Sequence, residues 1–113
     1  MAFTSSHEYA RGRSASITTS STAEVEVLTA TQGAKSSGGI SVIVTGTGAG
    51  TVKVYFVDAT ETKVATDPIS TETKVANEIT AINYGGRLPK IIVSVTPGSS
   101  SSQTFLVEVC GVN

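Results

Sequence analysis

The chain has 113 residues, 8 basic and 9 acidic side chains, one histidine and a net charge of −1; that is one domain's length, with no overall field to draw it to nucleic acid or to an anionic membrane. Charged residues make up only 15%, against about 25% in an average domain, and 15 Ser, 17 Thr and 14 Val fill the gap. Val and Thr are stiff at χ1 and fit a pleated surface better than a helix, so composition alone points to an all-β fold, while a length of 113 residues excludes a large multi-layer enzyme.

Residues 1–22 differ from the rest. They carry nine of the serines and threonines between Ser5 and Thr22, with Arg11 and Arg13 and few large apolar side chains. Such a segment buries too little apolar surface to offset its ordering entropy. It reads as an extended N-terminal arm, either disordered or ordered by a partner, with Phe3, Tyr9 and Ile17 as apolar anchors and Arg11 and Arg13 able to pair with a partner's carboxylates. Met1–Glu8 has neither a basic leader nor an apolar stretch and does not read as a signal peptide.

From Ala23 onward the sequence alternates with period two. Ala23, Val25 and Val27 share a face, with Glu24 and Glu26 pointing to water. Ile40, Val42 and Val44 form a second face, Val52, Val54 and Phe56 a third, Ile91, Val93 and Val95 a fourth, and Phe105, Val107 and Val109 a fifth. Five strands with one core-ready face and one mixed face predict an antiparallel β-sandwich over residues 23–113, jelly-roll or Ig-like. Ser36–Gly39, Thr45–Gly50, Asn83–Arg87 and Pro97–Ser102 separate the strands, the last read as a hairpin loop. The hexapeptide Thr-Glu-Thr-Lys-Val-Ala occurs at 60–65 and again at 71–76. The two copies suggest an exposed hairpin across the intervening Pro68, and 76–82 is either a strand or one helical turn.

No catalytic constellation emerges. His7, the one histidine, falls in the arm, where a general base has no rigid pocket. Cys110 stands alone, so no internal disulfide forms, and it reads as a small buried apolar group. One Cys and one His give no zinc set, and Asp58, Glu61 and Asp67 match no calcium loop. Gly46-Thr47-Gly48-Ala49-Gly50 is followed by a strand, not the helix a phosphate loop requires. Lys35, Lys53, Lys63, Lys74, Arg87 and Lys90 are isolated and read as solvated. The expectation is a protein without enzyme activity, cofactor or metal.

A Ser/Thr-rich arm (Ser14-Ala15-Ser16-Ile17-Thr18-Thr19-Ser20-Ser21) leading into alternating Gly/Thr/Val strands such as Thr51–Val54 and Ile91–Val95 resembles the short structural proteins of tailed-bacteriophage virions, of the capsid decoration or cement type. The resemblance covers the whole chain in texture and rests on no diagnostic motif. It implies a virion protein, assembled in the host cytoplasm, that binds the major capsid protein or other virion proteins through its arm, and a homo-oligomer with a trimer as the expected form. A head-completion, tail or fibre component fits the same texture. The competing expectation is a carbohydrate- or surface-binding adhesin module. Of its six aromatic residues, Phe56 and Phe105 fit the core, and Tyr55 and Tyr84 are the candidate platforms.

Overall fold

The computed structural model describes residues 11–31, 39–86 and 88–111. Eight strands form: β1 (Arg11–Thr19), β2 (Val25–Thr31), β3 (Ile40–Thr45), β4 (Gly50–Phe56), β5 (Ser70–Lys74), β6 (Thr80–Tyr84), β7 (Lys90–Pro97) and β8 (Gln103–Gly111). They make two four-stranded antiparallel sheets, ordered β1-β8-β3-β6 and β2-β7-β4-β5. The pairs β4–β5, β3–β6, β2–β7 and β1–β8 are nested like the two arms of one long hairpin. Rolling that hairpin up brings β3 against β8 and β4 against β7. The sandwich is therefore a jelly roll, one of the two architectures anticipated.

Alternation explains the core. Val42, Val44, Val52, Val93, Val95, Phe105 and Val107 are fully buried between the sheets, with Val54, Ile91 and Val109 close behind. Two details differ from the simple period. The pairing of β2 with β7 shifts between Glu26 and Leu28. This bulge moves the core face from the odd to the even positions, so Leu28 and Ala30 are buried while Val25 and Val27 are only half-buried. On β4, Phe56 is half-buried at the rim of the core, and Tyr55, on the outer side, is buried.

The N-terminal segment also differs from expectation. Residues 11–19 are an edge strand paired with β8 along its length, from Arg11 opposite Cys110 to Thr19 opposite Gln103. A Ser/Thr-rich strand needs little apolar burial of its own when a neighbouring strand supplies its backbone partners. The domain thus begins well before residue 23. Phe3, His7, Tyr9 and the loop residues Ser36–Gly38 lie outside the described residues.

The two hexapeptides do not pair with each other. The second supplies β5, on the edge beside β4, while the first closes a turn through an isolated bridge between Val57 and Lys63. In that turn Asp58 accepts the N–H groups of Thr60 and Thr62 at 2.9 and 3.1 Å and the Thr60 hydroxyl at 2.6 Å, with Glu61 at φ 65°. Residues 76–79 are a turn and β6 starts at Thr80, so the segment left open at 76–82 divides between the two. Pro97–Ser102 joins β7 to β8 and Thr45–Gly50 joins β3 to β4; both connections cross from one sheet to the other, and neither is a hairpin.

The glycine loop after β3 is a packing device. Gly46 sits at φ 110°, open to few other residues. A Cβ on Gly48 would lie 2.4–2.7 Å from three ring atoms of Phe105, whose side chain is fully buried and cannot retreat. Gly48→Ala should cost about 1–3 kcal/mol and lower the midpoint of thermal unfolding; an unchanged midpoint would mean that the loop does not rest on Phe105.

Candidate functional site

Of the expected partner-binding residues, Phe3 and Tyr9 lie outside the described residues. Arg11, Arg13 and Ile17 lie in sequence on β1, where Arg11 stands opposite Cys110, Arg13 opposite Val109 and Ile17 opposite Phe105. Phe105 faces the core, so Ile17 lies on the core side of its strand, half-buried, and is not a free anchor.

What the fold does create is two unlike outer faces. On the β2-β7-β4-β5 sheet the outer face is ionic. Tyr55 lies flat there under Lys63, whose Nζ is 4.5 Å from the ring centroid and 2.8 Å from Glu26. The Tyr55 hydroxyl donates to Glu24 at 2.6 Å, and the buried Ser94 hydroxyl donates to the same carboxylate oxygen. The hydrogen bonds from Ser94 and then Tyr55 hold the Glu24 carboxyl below its usual range, and burial followed by the Glu24 contact pushes the Tyr55 phenol up. The hydrogen bond with Glu26 raises the Lys63 ammonium. Lys90 pairs with Glu61 at the edge of the same face. Lys53 stands on the same face, opposite Thr71 and Ser94, and lowers the Glu24 carboxyl only through its charge, without an ion pair; the remaining charges of the face are held in ion pairs or, for Glu24, in hydrogen bonds. Tyr55, one of the two candidate platforms, is spent inside this network.

The outer face of the β1-β8-β3-β6 sheet carries few charges, Arg11 at the register position opposite Cys110 and Glu108 on β8. The registers place Ser41, Ile43 and Thr45 of β3, Ala81 and Asn83 of β6, and Thr104, Leu106, Glu108 and Cys110 of β8 on it. Glu108 is the single charged side chain among these nine positions. Leu106 is 41% exposed near the centre, and Cys110 is half-buried. Thr18 on β1 continues the face, with its hydroxyl 2.9 Å from that of Thr104. Such a face costs less to desolvate than an ionic one where its hydroxyls keep hydrogen-bond partners, as Thr18 and Ser41 do with Thr104 and Asn83; the exposed Leu106 adds one apolar point of contact.

A third feature is buried. Lys74, at the end of β5, is 1% exposed, although the sequence suggested a solvated side chain. Its Nζ donates to the carbonyls of Gly46, Gly48 and Val75 at 3.0, 2.9 and 2.8 Å. All three ammonium protons are matched. Burial lowers its proton affinity, partly offset by Glu78. The same loop is held from the other side by Gln103, whose Oε1 accepts the Ala49 N–H at 2.7 Å while its amide donates to the Ser99 carbonyl at 3.1 Å. These contacts are structural: no carboxylate, thiol or hydroxyl is poised for chemistry at Lys74. Among the described residues no group of three or more His, Cys, Asp or Glu converges as a metal site would.

A small cleft opens between the edges of the two sheets, lined by Ile40, Val42, Ile69, Ser70, Ile82 and Tyr84 among others. It has about 80 Å³ of room, far below the roughly 300–1,000 Å³ of a ligand pocket. Tyr84, the second candidate platform, stands at its mouth, 39% exposed.

No family model and no curated protein matches the chain. Among solved structures, the Yersinia pseudotuberculosis-derived mitogen superposes with a TM-score of 0.64, covering 93% of this chain and 88% of that one at 12% identity. PirA superposes with a TM-score of 0.53, covering 87% and 92% at 12% identity. At such identity the likeness is one of fold, and function must be argued from surfaces.

Two outcomes test this description. Lys74→Met keeps the stem but leaves the Gly48 carbonyl without its donor, while the Gly46 and Val75 carbonyls keep the N–H groups of Asn77 and Glu78 at 3.2 and 3.1 Å; it should destabilise the protein by about 1–3 kcal/mol, measured by urea unfolding, and a neutral result would show that water replaces the ammonium. The Glu24 carboxyl is depressed in the folded state, so its contribution is present above its unfolded value near pH 4.3 and is lost as pH falls through the lower folded value. Glu24→Gln should therefore flatten the acid limb of the stability–pH curve while lowering stability at pH 7. An acid limb parallel to wild type would show that the Ser94 and Tyr55 bonds do not hold the charge.

Proposed function

We propose that this protein is a non-enzymatic structural subunit that works by docking onto neighbouring protein subunits through its β1-β8-β3-β6 sheet. The observation that carries the reading is the difference between the faces: one outer face is built around the Glu24, Glu26 and Lys63 network, while the other offers mainly hydroxyls, alanine and an exposed leucine. Its concrete form is a virion protein of the capsid decoration type, bound to capsid subunits, a role the sequence texture suggests; the jelly roll itself serves viral capsid and lectin domains alike and does not choose between readings. A second reading, glycan binding, is favoured by Tyr84 alone, exposed at the mouth of the small cleft.

The test is sedimentation of the full chain over a wide concentration range, beside Leu106→Glu. Wild type should exceed the 11.5 kDa of one chain. A carboxylate in the middle of the face should weaken association at least about tenfold, roughly 1.4 kcal/mol, with the unfolding midpoint unchanged. A wild-type chain that stays monomeric yet binds a glycan array, and loses that binding in Tyr84→Ala, would replace the docking reading with the second one.

A further inference from the structure

An exposed strand edge is a template for another chain, and proteins guard such edges with charge, proline, bulges or inward-pointing ionic side chains. The four edges here are not guarded alike. On β2 the pairing shifts at a bulge beside Glu26. On β5 the register puts Glu72 and Lys74 on the core-facing side, opposite Val52 and Gly50. Both edges of that sheet are protected. The other sheet is different. β6 reads Thr-Ala-Ile-Asn-Tyr, without charge, proline or bulge. β1 has its irregularity between Arg11 and Arg13, and runs in unbroken register from Arg13 to Thr19. Among the described residues no strand covers the outer edge of either.

We infer that the two open edges join: β6 of one copy pairs with β1 of a second copy, extending the sheet from molecule to molecule. This rests on the docking reading above and names its partner as the chain itself. Three observations support it. First, the sheet has four antiparallel strands, so β1 and β6 run in opposite directions. A copy moved along the sheet without being turned over therefore presents β1 antiparallel to β6, as pairing requires. Second, both strands are uncharged from Ser14 onward and across Thr80–Tyr84, so no like charges oppose each other. Third, the cleft beside β6, walled by Ile82, Tyr84 and Ile69, opens where the core-facing side chains of an added strand would hang. Ile17, half-buried on that side of β1, supplies an apolar cover for it.

The geometry also sets the form of the assembly. The junction is head-to-tail, because each copy uses a different edge at each end. Strands twist by roughly 20–25° each, and the axis of that twist runs along the direction in which copies are added. Rotation about the axis of translation is a screw, which does not close. The product is an open, twisted row of subunits, unlike the closed trimer that the sequence texture suggests.

The experiment blocks one edge at a time in the full chain. Ala81→Pro disables β6 and Thr18→Pro disables β1; Ala81→Lys and Thr18→Lys are the companions that keep the ladders to β3 and β8 if proline disturbs folding, as checked by circular dichroism. Wild type should show a mass by light scattering that climbs with concentration without a plateau. Each variant alone should stay at one chain. An equal mixture of a β1-blocked and a β6-blocked variant retains one good junction, and should give two chains and nothing larger. A β6-blocked variant that assembles like wild type would overturn the inference in favour of β1 pairing with itself. A mixture of folded variants that remains monomeric, or a wild type that never exceeds one chain, would overturn it as well. Association that survives both edge variants but is lost in Leu106→Glu would leave the docking reading standing and remove this one.

Discussion

One ammonium group holds the end of the sandwich at which the chain crosses between sheets. The β3–β4 connection must carry the backbone from one sheet to the other within Gly46–Ala49, and a crossing that tight leaves carbonyls pointing inward with no strand to receive them. Lys74 reaches under the loop from the edge strand β5 and takes the carbonyls of Gly46, Gly48 and Val75. An isolated buried charge would be costly, but here each proton has a main-chain carbonyl as acceptor and the Glu78 carboxylate adds a favourable charge. Gln103 does the complementary work, supplying an acceptor for the Ala49 N–H. With the loop fixed from both sides, Gly48 can sit on the Phe105 ring and the two sheets keep their spacing.

That constraint has a consequence for the edges. Lys74 is useful to the loop because it is on the core-facing side of β5, and the same placement puts an ionic side chain on an edge strand. Glu72, two residues earlier on the same side, is exposed. The sheet that carries the ionic network on its outer face thus also has its edges protected, by the bulge in β2 and by these side chains in β5. The ionic network lies on one sheet, while the other carries Arg11 and Arg13 at the start of β1 and Glu108 on β8, with uncharged strands from Ser14 to Thr19 and from Thr80 to Tyr84.

Much of this architecture was legible in the sequence. Period-two alternation located β3, β4, β7 and β8 and named their buried residues, because valines fully enclosed between two sheets leave a plain pattern. The pattern failed where geometry, not composition, decides. At Val27 a single-residue bulge reverses the face, and nothing in Val-Glu-Val-Leu announces it. Tyr55 looked exposed by parity, but the turn at 57–63 folds Lys63 over its ring. β1 looked incapable of folding because its own side chains bury little; its stability is lent by β8. The twin hexapeptides are the clearest case. Lys63 lies in a turn and makes a surface ion pair, while Lys74, in the same six-residue context, is the most deeply buried cation described. Local sequence is identical and only the long-range partners differ, so no reading of the hexapeptide alone could separate them.

The same reasoning explains why the surfaces were harder to read than the core. A core residue is recognised by its own chemistry, since burial demands an apolar side chain. A surface is recognised by what lies beside it after folding, and the jelly roll places β1, β8, β3 and β6 side by side from four distant stretches of chain. Ser41, Ala81, Thr104 and Leu106 are each unremarked in the sequence, and become one face only through the registers of β3 with β6 and with β8. The arm residues drew attention instead because they were contiguous. Where the fold is a rolled hairpin, contiguity is a poor guide: strands far apart in sequence meet, consecutive strands such as β3 and β4 part company, and a surface suited to a partner is assembled from residues that no single segment displays.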